Sequence, residues 1–450
     1  MSVVAQHPRS PITRWLSRTN SAAFSTYAIA AAFLTYLCMY GFRKPFTAGS
    51  WEGESVAIAA LPPLALKSLF VISQVLGYTL SKFAGIKIVS EMSGARRGLA
   101  IVLLIGVAEG ALGLFAVTPH PWSALWLFVN GLPLGMIWGL VFGYLEGRKV
   151  SEILGAGLSA SYIIASGIMK SVGTWVHKDL GVSEDLMPFV SGAFFVLPLL
   201  LVVFLLSQLP PPTAEDEALR TKREPMDGAK RRAFLKRYWP GLLLLTALYF
   251  FLTAYRGVRD DFAKEIWNAV GKKGDEMAAL MTGTELPIAF GVMIALGFLF
   301  LVRNNRRALW VVHLLMAAGT ALVGVSMALF DAGAIDAVTW MILIGLGLYL
   351  AYVPFGCVLF DRLIAAVGIV ATAGFMIYVT DAVGYLGYVF VVLYKDFGSH
   401  DVGWLPFFRG FSYLTSILCT AFFLGSMLYF IRAARKPVTA DAPATSPGPA

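Results

Sequence analysis

The chain has 450 residues, of which 58% are hydrophobic and only 14% are charged, and its mean hydropathy is +0.71. These values exclude an ordinary soluble domain and predict an integral membrane protein. The formal net charge is +9. Basic residues in a membrane protein first report its orientation and its contacts with anionic headgroups, so this charge does not indicate nucleic-acid binding.

Long apolar segments in two groups of six predict an all-α membrane protein with twelve transmembrane helices. The first group lies at about 21–46, 64–86, 98–117, 123–146, 151–176 and 187–208. The second group lies at about 239–262, 279–302, 308–330, 336–360, 364–394 and 407–431. The first segment is longer than the apolar core of a signal peptide and no cleavage site follows it, so we expect it to be retained.

Changes in composition divide the chain into five predicted parts. These are an amino-terminal tail (1–20), a first half (21–208), a basic linker (209–238), a second half (239–432) and a carboxy-terminal tail (433–450). The final tail is rich in Ala, Pro and Thr, so we expect it to be disordered.

The loops differ in their content of lysine and arginine. Placing both tails, the linker and alternate loops on one side collects most of the basic residues on that side. The positive-inside rule then predicts cytoplasmic termini and a cytoplasmic linker. We expect a multi-pass protein of the plasma membrane, the inner membrane of a bacterium, that acts as a monomer.

An internal repeat joins the first helices of the two halves. Gly41, Phe42, Arg43, Phe46 and Trp51 are matched, 216 positions later, by Gly257, Val258, Arg259, Phe262 and Trp267. An arginine within or just outside the hydrocarbon zone costs roughly 2.5 to 3.5 kcal/mol unless something pairs with it. The repeat therefore predicts that each half contributes an arginine to a shared centre.

Six basic residues are candidates for binding an anion. Arg43 from the first half, with Arg256 or Arg259 from the second, would form a two-sided clamp, because planar guanidinium groups bind phosphate or carboxylate bidentately. Lys82 and Lys170 would act as point charges, and Lys44 lies beside Arg43. An excess of positive charge at the centre predicts an anionic substrate.

Each basic candidate also has a structural interpretation. Arg43 and Lys44 would then end the first helix and extend into the headgroups. The arginines of the second half share a helix face and would pair with Asp260 and Asp261 at an outer mouth. Lys82 would be an anchor at the inner end of its helix, and Lys170 an anchor in the outer third.

Two carboxylates lie deep in predicted spans, where such groups usually face a partner or a cavity. Asp381 is expected either to pair with a site arginine until substrate displaces it, or to carry a proton, because burial and a neighbouring arginine shift a carboxyl pKa in opposite directions. Glu109 is expected to belong to a structural charge pair.

Short motifs in both halves resemble a known transporter family. In the first half they are Tyr40-x-x-Arg43-Lys44-x-Phe46, Tyr78 with Ser81-Lys82-Phe83, and Asn130-Gly131-x-x-x-Gly135-Met136-x-Trp138. In the second half they are Tyr352-x-Pro354, Ala373-Gly374-Phe375 and Gly384-Tyr385-Leu386-Gly387. This set, with the six-plus-six layout, resembles the organophosphate:phosphate antiporters of the major facilitator superfamily, which exchange glycerol phosphate or hexose phosphates for phosphate.

The resemblance implies a substrate site near the middle of the membrane, between the two halves. Tyr40, Tyr78, Trp138 and Tyr162 would line that site, although packing is the alternative role for Tyr40, Trp138 and Tyr162. The fifth span departs from the family pattern, because Ser159-Ala160-Ser161-Tyr162 replaces the region of an expected histidine and Lys170 follows it. The seventh span departs too, because Tyr255 stands where the family places arginine.

The motifs of several other chemistries are absent from the sequence. There is no phosphate-binding loop of an ATPase, no metal-ligand spacing among the histidines, and no nucleophile paired with a base. We therefore expect neither an enzyme nor a cofactor. The predicted function is secondary transport of a small organic anion, with an organophosphate exchanged for phosphate as its specific form. The alternatives are a proton-coupled symporter that uses Asp381 and a membrane sensor that keeps the fold without transporting.

Overall fold

A computed structural model describes residues 10–435 except 59–60, 147, 149, 214–215, 217–227 and 368–372. The predicted disordered tail lies outside the described residues beyond Arg435, as does most of the polar part of the linker. The final helix continues to Arg435, so the first residues assigned to that tail are helical.

The first half consists of a short helix, α1 (Pro11–Leu16), and six long helices. The long helices are α2 (Ser21–Gly41), α3 (Leu66–Glu91), α4 (Gly94–Val117), α5 (Ala124–Phe142), α6 (Ser151–Lys178) and α7 (Met187–Ser207). Asn20 fixes the start of α2, because its side chain accepts a hydrogen bond from the backbone N–H of Ala23 at 2.8 Å.

The second half repeats this architecture with more interruptions. Its helices are α8 (Gly228–Asp261), α9 (Ala263–Ala269), α10 (Gly274–Gly283), α11 (Glu285–Phe300), α12 (Asn305–Asp331), α13 (Ala337–Pro354), α14 (Phe360–Val367), α15 (Ala373–Leu393) and α16 (Trp404–Arg435). Wide π-helical turns at Phe355–Leu359 and Tyr394–Gly398 follow α13 and α15.

Every predicted span overlaps a described helical segment. Ten segments in the described part of the chain are long and apolar enough to cross a membrane. Helices α3 and α15 occupy the other two predicted positions. The chain is thus a multi-pass membrane protein.

Two differences from the predicted elements are informative. The span predicted at 279–302 is two helices, α10 and α11, which meet at Thr284. The loop after α2 contains a short antiparallel hairpin that we did not predict, made of β1 (Ser55–Ile58) and β2 (Leu61–Ala65). Strand β2 packs against the turn Tyr394–Gly398 of the second half.

Glycine allows α3 and α5 to pack with their backbones in contact. A Cβ atom added to Gly131 would lie 2.2 Å from the carbonyl oxygen of Gln74, and one added to Gly77 would lie 2.1 Å from that of Phe128. Small residues permit this close approach in membrane helices. The contact fixes the position of Tyr78, because its backbone N–H lies 2.8 Å from the Cβ position at Gly131.

The two halves meet along α3 with α15 and along α6 with α10 and α11. We call the end of the bundle at which α2 and α8 terminate, near Gly41 and Asp261, the distal end. The hairpin and helix α9 lie there, opposite the end at which α2 and α8 begin.

Candidate functional site

Arg43 lies just beyond the end of α2, where two amide side chains hold the backbone. Asn130 donates a hydrogen bond to the carbonyl of Phe42 at 3.1 Å, and Gln74 donates one to the carbonyl of Arg43 at 3.1 Å. These bonds satisfy carbonyls freed by the end of the helix. The Arg43 side chain then lies 4.1 Å from the centre of the Tyr78 ring. It is only 5% exposed, so it does not extend into the headgroups.

Arg256 approaches the same place from the second half. Its guanidinium lies 4.7 Å from the centre of the Tyr352 ring and donates a hydrogen bond to the hydroxyl of Tyr385 at 3.1 Å. The rings of Tyr385 and Tyr78 are 4.9 Å apart, edge to face. Tyrosines from opposite halves therefore connect the two arginines.

Neither arginine has a carboxylate partner among the residues that the structure describes. Within the same described residues, the buried Nε atom of each arginine also lacks a hydrogen-bond acceptor. Five other buried cations do form ion pairs, namely Lys44, Lys67, Lys82, Lys170 and Arg259. Arg43 is thus a buried positive charge and Arg256 a half-buried one, and the aromatic rings in contact with them compensate these charges only in part.

A second connection between the halves lies beside the arginines. Lys82 forms an ion pair with Asp381 at 3.2 Å, and Asp381 accepts a hydrogen bond from Tyr249 at 2.7 Å. The prediction that Asp381 pairs with an arginine is therefore wrong. Lys82 is 4% exposed, which also excludes its alternative role as an anchor at the helix end.

The remaining aromatic candidates surround these groups. Tyr40 lies 5.7 Å from Arg43, measured from guanidinium carbon to ring centre, and Trp138 lies 6.0 Å from the Lys82 nitrogen. The ring of Tyr162 is 6.2 Å from that of Tyr352, against which Arg256 packs. The structure thus brings all four predicted aromatic residues, Tyr78 included, to one cluster.

Two predicted binding residues, Lys44 and Lys170, lie instead in a network of ion pairs at the distal end. The Lys44 ammonium lies 2.6 Å from Asp260 and also donates to Asp261. Lys170 contacts Asp260 at 2.8 Å, and Tyr388 donates to Asp261 at 2.8 Å. We call Lys44, Lys170, Asp260 and Asp261 the distal lock, because these pairs join the two halves.

Arg259, the repeat counterpart of Arg43, forms an ion pair within the second half. It donates to Glu285 at 2.9 Å and to the carbonyl of Met341 at 3.2 Å. The alternative in which Arg256 and Arg259 pair with Asp260 and Asp261 is therefore wrong. The two arginines share a helix face, but in the described chain Glu285 at the start of α11 forms an ion pair with Arg259 and not with Arg256.

Charge is divided between the halves at this end. Lys67 of α3 pairs with Glu265 of α9 at 2.5 Å, close to the distal lock. In these pairs the first half supplies the lysine and the second half the carboxylate, whereas Lys264 of the second half lies 4.0 Å from Glu184 of the first. Separation of the halves here would expose Lys44, Lys67 and Lys170 on one wall and their carboxylates on the other.

Glu109 does not belong to a charge pair, contrary to prediction. Neither of its carboxylate oxygens has a hydrogen-bond partner, and no ion pair reaches it within the described ranges. It lies at the seam of α4 and α7, where a Cβ atom on Gly192 would be 2.2 Å from Glu109 Oε2. Its place on a peripheral seam separates it from the central cluster.

Sequence reasoning missed Tyr249 and Glu285, which complete the network. Glu285 lies within the span predicted at 279–302, but it was not singled out there as a carboxylate in need of a partner. In the described part of the chain, no three His, Cys, Asp or Glu side chains are grouped to hold a metal ion.

The fold is similar to that of solved transporters. A crystal structure of a D-xylose-proton symporter superposes with a TM-score of 0.60 at 14% identity, covering 89% of this chain and 97% of that one. A bacterial homologue of the human drug peptide transporters PepT1 and PepT2 gives 0.56 at 12% identity, covering 91% of this chain and 99% of that one. These similarities show that the chain has the major facilitator fold.

Comparison of the sequence itself gives one family. No curated protein matches the chain. Residues 45–433, most of the chain, match a family whose description is "Family of unknown function (DUF5690)". The chain belongs to this family, DUF5690.

Proposed function

We propose that the protein is a secondary transporter that binds a small organic anion between its halves and moves it by alternating access. The supporting observation is the pair of arginines formed by buried Arg43 and half-buried Arg256, which come from opposite halves and have no carboxylate partner in the described chain. The solved transporters and transporter homologues of similar fold support transport in general.

The arginines suit this role because each offers a planar set of donors. An anion between them would accept bidentate hydrogen bonds, and a site largely shielded from water strengthens such bonds. Tyr385 already accepts a hydrogen bond from Arg256, so a bound anion would take its place or share its donor. Tyr40, Tyr78, Trp138 and Tyr162 form the proposed walls.

Alternating access requires one end of the bundle to open while the other closes. In the proposed cycle the distal lock closes one end, and Lys44 and Lys170 act there and do not bind substrate. Arg259 acts as a structural partner of Glu285. We place the distal end outside the cell and the termini in the cytoplasm, because the basic loops lie at the opposite end.

The further assignments follow from the same proposal. The chain would comprise a tail (1–20), a first half (21–208), a linker (209–238), a second half (239–432) and a final tail (433–450). We propose a monomer in a bacterial inner membrane. Within this frame an organophosphate exchanged for phosphate is the preferred substrate pair, because reorienting an empty carrier would desolvate two uncompensated arginines.

The test combines binding with exchange. Purified protein should be stabilised against heat by phosphate or phosphate esters, by roughly 2.7 kcal/mol at a hundredfold excess over the dissociation constant. Arg43→Ala and Arg256→Ala should each weaken this effect, and vesicles loaded with phosphate should take up labelled ester faster than empty vesicles. Stabilisation only by neutral sugars, or unchanged in both variants, would contradict the proposal.

The second candidate is a proton-coupled symporter, which the position of Asp381 favours. This carboxylate contacts Lys82 of the other half and Tyr249, so its protonation would weaken one connection between the halves. Asp381→Asn should then abolish the pH dependence of uptake while transport down a gradient persists. If Asp381→Asn leaves the pH dependence intact, this candidate fails.

A further inference from the structure

A cavity at the distal end lies apart from the arginine site. Its volume is about 220 Å³, and both halves line it. Trp51 and Lys67 contribute from the first half, and Lys264, Glu265 and Trp404 from the second. The space is large enough for several water molecules or one small solute.

Two ammonium groups from opposite halves line this cavity. Lys67 is 4% exposed, and its one hydrogen-bond acceptor within the described ranges is Glu265 Oε1, at 2.5 Å. Lys264 donates to the carbonyl of Ala48 at 3.0 Å and lies 4.0 Å from Glu184. Burial and the nearby ammonium of Lys67 lower the pKa of Lys264. An anion between the two lysines would relieve this repulsion.

The two lysines favour an anion, whereas Glu265 favours a hydrogen-bond donor. Its Oε1 accepts from Lys67, but its buried Oε2 has no hydrogen-bond partner among the described residues. A buried acceptor without a donor is costly, so a ligand that donates a hydrogen bond there would be favoured. Glu52 and Glu54 lie exposed at the rim, where water screens their charge.

The aromatic groups give the cavity a rigid wall. Phe262 and Trp404 stack with their ring centres 3.5 Å apart, and the Lys67 ammonium lies 5.7 Å from the Phe262 ring. Trp51 is held by hydrogen bonds from its backbone N–H to Glu184 and from its indole to Asp185, at 3.0 and 2.9 Å. Trp51 also has a φ of 45°, an uncommon value for a bulky residue that these contacts maintain.

We propose that this cavity is a second binding site, for a small organic anion that also carries hydrogen-bond donors, such as a hydroxylated phosphate ester. The anionic group contacts Lys67 and Lys264, and a hydroxyl donates to Glu265 Oε2. The site depends on the cavity alone and needs no anion at Arg43 and Arg256. Its occupant touches both halves, so binding favours the state in which the distal end is closed.

The experiment uses the full-length protein in detergent and compares glycerol phosphate with methyl phosphate, which lacks the carbon-bound hydroxyls. Arg43→Ala provides a background in which the central site is impaired. We expect this variant to keep binding glycerol phosphate, and adding Lys264→Gln to weaken that binding at least roughly tenfold, the effect of losing a charged hydrogen bond. Methyl phosphate should bind more weakly than glycerol phosphate in the same background.

Lys272→Gln is the control, because Lys272 is a partly exposed lysine of the same region that pairs with Glu276 outside the cavity. It should leave binding unchanged. Lys67→Gln is a second test, and retained affinity in both cavity variants would overturn the proposal. Loss of all binding in Arg43→Ala alone would also overturn it. If instead Arg43→Ala binds like wild type and Lys264→Gln does not, the cavity site stands and the central site fails.

Discussion

At the scale of single residues, Arg43 and Arg259, which are matched in the internal repeat, have different surroundings. Arg43 lies against tyrosine rings, whereas Arg259, its counterpart in the repeat, is neutralised by Glu285. The same residue type in equivalent sequence positions thus carries an uncompensated charge in one half and a paired charge in the other. The two arginines should therefore respond differently to the same substitution.

Arg43→Lys should weaken anion binding roughly tenfold to a hundredfold, because lysine keeps the charge but loses the bidentate fork. The matched control is Arg259→Lys, which should lower the melting temperature through its pair with Glu285 and leave affinity nearly unchanged. Titration calorimetry and thermal unfolding measure the two effects. Equal losses of affinity in both variants would mean that Arg259 also contacts the ligand.

At the scale of helices, the contact of α3 with α5 decides where Tyr78 lies. Gly131→Ala should cost about 1 to 3 kcal/mol of stability, since its new Cβ atom would overlap the α3 backbone. It should also lower anion affinity by displacing Tyr78 from Arg43. Gly106→Ala is the control, because nothing lies within 4 Å of that Cβ position. Thermal unfolding and ligand titration of both variants test this.

Glu184, in the loop between α6 and α7, binds the segment that precedes the hairpin. Burial alone would raise the pKa of Glu184, but the backbone N–H groups of Ser50 and Trp51 hold this pKa below its ordinary value of 4.5. The stabilisation is therefore complete above that value and is lost as the pH falls through the lower pKa of the folded state.

Glu184→Gln should accordingly reduce the fall in melting temperature between neutral and acidic pH. Glu276→Gln, which changes an exposed carboxylate of the same region, should leave that fall almost as in wild type. Melting curves recorded across the pH range compare the three proteins. A Glu184→Gln curve parallel to wild type would contradict the assignment.

At the scale of the whole molecule, the distal lock holds the halves together through buried ion pairs. Removing one partner of such a pair leaves an uncompensated charge, which is strongly destabilising. The loss should destabilise the conformation in which the distal end is closed, because the ion pairs form in that conformation.

Asp260→Asn should therefore increase opening at this end. The measurement is the reaction of Thr47→Cys, a position 1% exposed, with a membrane-impermeant maleimide, in protein lacking its three buried cysteines. We expect labelling to accelerate roughly tenfold or more. Asp336→Asn, which removes an exposed helix cap, should not change the rate. Unchanged labelling in Asp260→Asn would show that the lock does not control opening.

The sequence predicted the spans and the central charges, because apolar length and intramembrane arginine are local signals. The ion-pair partners of these charges could not be predicted in this way, because they depend on contacts between residues far apart in the chain. Asp260 and Asp261 adjoin Arg259 in the chain, yet the fold assigns Asp260 to Lys44 and Lys170, from the other half. The hairpin was missed because its second strand contains Pro62 and Pro63, residues that usually argue against a strand.

The division of charge at the distal end also bears on how the chain is made. Lys44, Lys67 and Lys170 are synthesised before any of the carboxylates with which they pair. Until the second half is inserted, none of these ammonium groups has the carboxylate with which it pairs in the completed fold. Docking of the completed halves, more than insertion of any helix, is then the step that neutralises them. If the two halves were synthesised as separate polypeptides, their complementary charges at the distal end would still favour association with each other.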